Sequence, residues 1–192
     1  MLSPGRYDLA APDGSWLGAV VLHPHPSYGG DRRNIVVQAL FDTLPAVGVA
    51  AVRFDFASDD IGAGAADAVA AIDLLPLDGA GRVVVVGYSF GALVAARVVD
   101  ERVAGWAFVA PPFGMLPAGD AAPARTDARP KLVLTPEHDQ YCPPDAARRE
   151  TAGWPSIEFE SVSGADHFLG GATARVAERV TTWVSRFRPA GR

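Results

Sequence analysis

The sequence is short of sulfur, of clustered positive charge and of long apolar runs, and each shortage excludes something. Cys142 is its one cysteine, so no internal disulfide can staple the fold, and a reducing compartment is compatible. With 17 Lys and Arg against 22 Asp and Glu the net charge is −5 and the pI about 5.3, which leaves no basic footprint for nucleic acid, and no Lys/Arg run marks an anionic membrane. No apolar stretch reaches the ~18 residues of a membrane span, and the opening MLSPGRYDLAAPDG lacks a basic region followed by an apolar one. Gly62-Ala63-Gly64 lacks the third glycine of a dinucleotide fingerprint. The expectation is a cytoplasmic protein that is not exported, with a small-molecule partner, no nucleic acid or membrane, and no cofactor.

What is present is an ordinary globular composition: 49% hydrophobic, 20% charged, 20 glycines and 16 prolines in 192 residues. That length suits a single domain over 1–192 with a sizeable core. Apolar segments fitting strands occur at 17–23, 49–54, 82–86, 105–110, 131–135 and 157–162, and several are continuous rather than alternating. Strands apolar on both faces indicate a parallel sheet covered by helices on each side. Helical stretches fall between them at 31–44, 65–75, 90–103, 144–152 and 171–187. In the last, Val176, Val180, Trp183, Val184 and Phe187 make one apolar stripe. The alternation predicts a doubly wound α/β fold with a mostly parallel sheet. RYDLAAPDGSWLGAVV carries a Pro-Asp-Gly turn and is expected to add an antiparallel hairpin at one edge. Residues 111–130 read as a loop with a helical turn.

Between a valine run and an alanine-rich helix stands Gly87-Tyr88-Ser89-Phe90-Gly91, a G-x-S-x-G sequence in the strand-to-helix context that this motif requires. A serine on so sharp a turn takes a sparsely populated backbone conformation, and glycine on either side avoids collisions with strand and helix. The Phe90 N–H, at the start of the following helix, is placed to stabilise an oxyanion beside Ser89. A serine hydroxyl needs a base, and the base an orienting group. His167, in SGADHFLGG after the last strand, lies on the carboxyl edge that also holds Ser89. For the acid, Asp139 in LTPEHDQYCPP is favoured because the turn has run farther from the strand end; Glu137, Asp55 and Asp59 remain open, with Asp166 a weaker choice.

These features resemble the α/β-hydrolase superfamily, in its order Ser89, Asp139, His167, over residues 17–187. More narrowly, HPHPSYGGDRRN at 23–34 and RFDFASDDIG at 53–62 resemble segments of small lidless bacterial serine hydrolases related to the dienelactone hydrolases. In the second segment Ala57-Ser58-Asp59-Asp60 replaces the group's usual basic and glycine residues. Dienelactone hydrolases proper use a cysteine where this chain has Ser89, so lactone specificity does not carry over. The resemblance implies a minimal fold without a cap domain and a second oxyanion donor on the loop after the first core strand. Pro24 and Pro26 have no N–H, which leaves His25, Ser27, Tyr28 or a glycine, with the His25 backbone the best match.

His23 and His25, two apart, could be imagined with His138, Asp139 and His167 around a metal, but no third ligand has a recognisable spacing and none is expected. Cys142 reads as packing. Tyr28, Tyr88, Phe113 and Phe168 are candidates for a substrate pocket. The reading is a serine hydrolase of the carboxylesterase or thioesterase type, cleaving a small to medium ester or thioester. The rival is a non-catalytic scaffold of the same fold that binds a ligand or protein.

Overall fold

A computed structural model describes residues 5–77, 81–116 and 122–189. Seven strands form one sheet: β1 (Tyr7–Ala10), β2 (Leu17–Leu22), β3 (Val49–Phe54), β4 (Val83–Tyr88), β5 (Val103–Val109), β6 (Lys131–His138) and β7 (Ile157–Asp166). Their spatial order is β1-β3-β2-β4-β5-β6-β7, with only β1 antiparallel. Every residue of β2, β3, β4 and β5 is buried, which is why these segments are apolar without alternation. Helices α1 (Ile35–Ala46) and α5 (Thr173–Val184) cover one face; α2 (Ile61–Ile72) and α3 (Phe90–Ala95) lie on the other, and α4 (Pro144–Glu150) follows β6.

Local chemistry sets the helix starts. Asn34 accepts the Val36 N–H at 3.0 Å and begins α1; Asp60 accepts the Ala63 N–H at 2.7 Å and begins α2. The Asp60 cap explains why α2 starts four residues before the segment expected from periodicity. It also gives the departure at 57–60 a structural role, since Asp59 accepts the Ser27 hydroxyl at 2.8 Å.

Two expectations need correcting. The helix predicted over 90–103 ends at Ala95, where Arg97 and Val98 make tightened bonds to the Val94 and Ala95 carbonyls. Asp100 then folds the chain back by accepting the Arg102 N–H at 2.8 Å, and Val103 enters β5. β1 is antiparallel and at an edge, yet it forms no hairpin with β2. Both edges of β2 are taken by β3 and β4, so β1 pairs with β3, placing Asp8 opposite Arg53 and joining them at 2.9 Å. Residues 111–116 and 122–130 contain two 3-10 turns, Phe113–Met115 and Pro123–Arg125; the middle of that expected loop, 117–121, lies outside the described residues.

At the start of β6 the fully buried Lys131 donates its ammonium protons to the carbonyls of Asp127, Arg129 and Pro155, the last two at 2.8 and 3.1 Å. Lys131→Ala leaves three carbonyls without their donor and should cost about 3 kcal/mol of unfolding free energy, read from urea denaturation.

Candidate active site

The carboxyl ends of β2, β4, β6 and β7 converge on one edge, and strand register decides which residues meet there. Leu22 pairs with Gly87, so the loop leaving β2 runs beside the turn leaving β4. His138 pairs with Asp166, so the next residues of both strands, Asp139 and His167, emerge side by side.

Ser89 adopts φ 53° and ψ −118° between β4 and α3, a conformation that costs a side-chain-bearing residue about 1–3 kcal/mol. The flanking positions have no room for side chains. A Cβ on Gly87 would lie 2.1 Å from the Gly91 carbonyl oxygen, and one on Gly91 would lie 2.5 Å from that of Leu22. The Ser89 N–H continues the sheet by donating to Val109 O at 2.9 Å, leaving the hydroxyl on the open edge.

From that hydroxyl a hydrogen-bonded row runs inward. Ser89 Oγ stands 2.9 Å from His167 Nε2, and His167 Nδ1 stands 2.8 Å from Asp139 Oδ2. Asp139 is 2% exposed, and its other oxygen accepts the N–H groups of Tyr141 and Cys142 at 2.8 and 3.0 Å. A carboxylate can only accept, so Nδ1 carries the imidazole proton and Nε2 is free to take the serine's. Tyr88 donates its hydroxyl to the His167 carbonyl at 3.0 Å, and burial pushes that hydroxyl's pKa up, keeping the donor protonated.

The sequence favours Asp139, and each alternative to it has another occupation in the structure. Glu137 sits in the bulge between β6 and β7 and accepts the Gly164 N–H and Ser163 hydroxyl at 2.7 and 2.8 Å; those bonds, the Gly164 one foremost, hold its carboxyl below the usual range. Asp55 is paired with Arg32, Asp59 with Ser27, and Asp166 accepts the Phe168 N–H at 3.0 Å. Cys142 is buried, which pushes its thiol up and away from the reactive thiolate.

The loop after β2 shows which N–H groups are engaged. Ser27 N–H donates to His25 Nδ1, Tyr28 and Gly30 to His25 O, and Gly29 to Pro26 O. Pro24 and Pro26 have none to offer. Among the described residues the His25 N–H of this loop donates to no protein acceptor, and neither does the Phe90 N–H across from it. Gly30 must be a glycine, since a Cβ there would lie 2.3 Å from the Pro24 carbonyl oxygen.

A cleft of about 420 Å³ opens over Ser89, bounded by His25, Tyr28, Tyr88, Phe90, Leu93, Met115, Tyr141, His167 and Phe168 among others. Of the four pocket candidates, Tyr28, Tyr88 and Phe168 border this cleft. Phe113 does not: it is buried against Phe108 and Trp154, with ring centroids 5.3 and 5.1 Å away, while its neighbours Pro112 and Met115 face the cleft. Tyr141, directly before Cys142-Pro143-Pro144 and two residues after Asp139, is a lining residue that the sequence reading misses, although its nearness to the acid is a usable signal. A larger depression of about 810 Å³ at the opposite edge of the sheet, near Trp16, Arg82 and Phe187, contains none of the predicted residues.

His23, considered in the sequence only as a metal ligand, has both ring nitrogens engaged. Nδ1 lies 2.6 Å from Pro24 O, and Nε2 accepts the Phe56 N–H at 3.0 Å. Its ring packs 4.4 Å from Phe56, Phe56 edge-on to Phe90 at 5.5 Å, and Phe90 4.8 Å from His25. The imidazole therefore locks the loops after β2 and β3 together and keeps His25 and Phe90 in mutual contact. Burial lowers its pKa, against smaller opposing effects of the Pro24 carbonyl, Asp55 and Asp31. The unfolded chain takes up a proton that folded His23 refuses, so its contribution is complete above about pH 6.5 and lost as pH falls toward the folded value. Urea unfolding at about pH 7.5 and about pH 5.5 should show His23→Ala less stable than wild type, by a margin that narrows at the lower pH.

Residues 9–192 match the sequence model of the Alpha/beta hydrolase family. The chain is 26% identical to an uncharacterized protein of Rickettsia prowazekii over 94% of its own length and 83% of that protein's. Its fold is similar to a solved α/β serine hydrolase homologue from Coxiella burnetii, at a TM-score of 0.82 and 26% identity over 96% of this chain and 95% of the other. It is also similar to an α/β serine hydrolase without a lid from Xanthomonas campestris, at 0.77 and 25% over 97% and 89%. Among the described residues no helix is long and apolar enough to cross a membrane. With its seven-stranded sheet, its serine turn and a family match spanning nearly every residue, this chain belongs to the α/β-hydrolase family and is a hydrolase by kinship.

Proposed function

We propose that this protein is a serine hydrolase of the carboxylesterase or thioesterase type, acting in the cytoplasm on a small to medium substrate through an acyl-enzyme on Ser89. The observation that carries this reading is the unbroken row from Ser89 Oγ through His167 to buried Asp139. In it, His167 Nε2 accepts the serine proton as Oγ attacks the carbonyl carbon, and Asp139 steadies the imidazolium that forms. The carbonyl oxygen, now an anion, turns toward the N–H groups of Phe90 and His25, neither of which is engaged by a protein acceptor. His167 returns the proton to the leaving atom, and water repeats the sequence to release the acid. A ligand-binding scaffold has no need of a strained serine or of a desolvated carboxylate beneath a histidine.

A fluorophosphonate probe should label the wild type and fail on Ser89→Ala; a folded wild type that does not react rules the mechanism out. Asp139→Asn should lower kcat by about 10⁴-fold through the wrong imidazole tautomer, whereas Glu137→Gln, which touches only the β7 bulge, should stay within about tenfold. Hydrolysis of p-nitrophenyl esters gives both values.

The second oxyanion donor can be deleted cleanly. His25 has φ −57° and ψ 122°, angles that proline adopts without strain. His25→Pro removes the N–H and should reduce kcat by about 10²–10³-fold, while His25→Ala retains that N–H and should lose far less. Equal losses in the two variants would assign the effect to the imidazole.

A further inference from the structure

The reaction geometry separates the two halves of the substrate. The oxygen of the breaking bond must come within hydrogen-bond reach of His167 Nε2, because that nitrogen returns the proton to it. The leaving group therefore begins at the imidazole, and its surroundings are the side chains packed on that ring. Three are aromatic: Tyr88, buried and tilted 31° at 6.0 Å, and two set edge-on to the imidazole, Tyr141, with centroids 4.6 Å apart at 66°, and Phe168, at 5.8 Å and 88°. Both border the cleft, and both are more than half exposed, at 55% and 57%, although the imidazole between them is only 5% exposed. Among the described residues the cleft has no Asp, Glu, Lys or Arg in its wall. Nothing there would neutralise a charged leaving group, and the phosphates of a nucleotide-bearing thiol would meet no cation.

We infer that Tyr141 and Phe168 form a leaving-group slot for a neutral aromatic alcohol, so that the favoured substrates are aryl esters; the inference rests on the serine-hydrolase reading above. As the Ser89 Oγ–carbonyl bond forms, the serine proton passes to His167 Nε2. As the carbonyl–oxygen bond breaks, that proton passes to the phenolic oxygen, and a neutral phenol departs between the two rings. An aromatic leaving group gains stacked or edge-to-face contact with rings that are already ordered by the imidazole, which an aliphatic one of equal size does not.

The test compares phenyl acetate with hexafluoroisopropyl acetate, whose alcohol is close to phenol in acidity, so that chemical reactivity is matched and ring contact is not. Wild type should favour the phenyl ester by about tenfold in kcat/KM. That ratio should fall toward unity in Tyr141→Ala and Phe168→Ala, whatever each does to the absolute rates, and should be retained in Tyr141→Phe and Phe168→Tyr, which keep the rings. A wild-type ratio near unity, or a ratio unmoved by the alanine variants, overturns the slot. Fluorophosphonate labelling of the wild type, with fluoride as leaving group, makes no use of the slot: labelling without an aryl preference removes the slot alone, and no labelling removes the hydrolase reading with it.

Discussion

The carboxyl edge depends on one close approach, that of the α3 backbone to the carbonyl oxygens closing β2. Gly91 has room for a hydrogen where a Cβ would be 2.5 Å from Leu22 O and 2.8 Å from His23 O, and Gly87 is held as tightly against Gly91. The chain between them has only a few residues in which to reverse from strand to helix, so the strain falls on Ser89. It persists because the flanking elements are fixed elsewhere. Val83, Val84, Val85 and Val86 are all fully buried, and so are most of the residues of α3. Burying four valines stabilises the fold by several kcal/mol, on the order of 1.5–3 each, more than the turn costs. A serine that projects from the sheet edge is thus the consequence of a packed strand and a packed helix meeting at two glycines.

The two sides of the site are held by different means. On the β6–β7 side the ladder itself does it: the strands stay paired as far as His138 and Asp166, and Glu137 clips the bulge, so the acid and the histidine leave adjacent strands together. On the β2–β3 side the connections are too irregular for a ladder, and the buried His23 ring replaces it with two hydrogen bonds to backbone groups from different loops. A neutral imidazole suits this position because it donates at one nitrogen and accepts at the other. No other common side chain of that size offers both across a rigid ring.

The sheet, the serine turn and the order of the three polar residues were legible because each leaves a local mark: continuous apolar runs, paired glycines, loops at strand ends. Asp139 over Glu137 was readable from its distance along the turn, though the reason lies in register, since Glu137 falls in a bulge that no sequence pattern announces. The span of α3 was overread because alanine and valine continue past Ala95 with acceptable helix propensity, and the reversal at Asp100 is a tertiary choice. β1 was expected beside its neighbour in sequence; the pairing went instead to β3, where Arg53 awaited Asp8. His23 was the largest gap. Its partners, Pro24 O and Phe56 N–H, are backbone groups, and backbone hydrogen bonds across loops have no signature in residue identity.

Among the described residues no separate cap covers the site, so the imidazole must be kept from water by the loops themselves. His167 is nearly buried, yet two of the rings packed on it, Tyr141 and Phe168, are themselves open to solvent, as are Tyr28 and Met115 farther round the mouth. Large apolar groups gathered on one rim are costly to leave wet. The arrangement becomes economical only when something covers them, and in the proposed reaction the molecule in position to do so is the one being hydrolysed. An apolar substrate seated on these rings removes its own surface and theirs from water together, lowering the local dielectric around the charges that develop on His167 and on the carbonyl oxygen. On the proposed reading, the substrate itself closes the site.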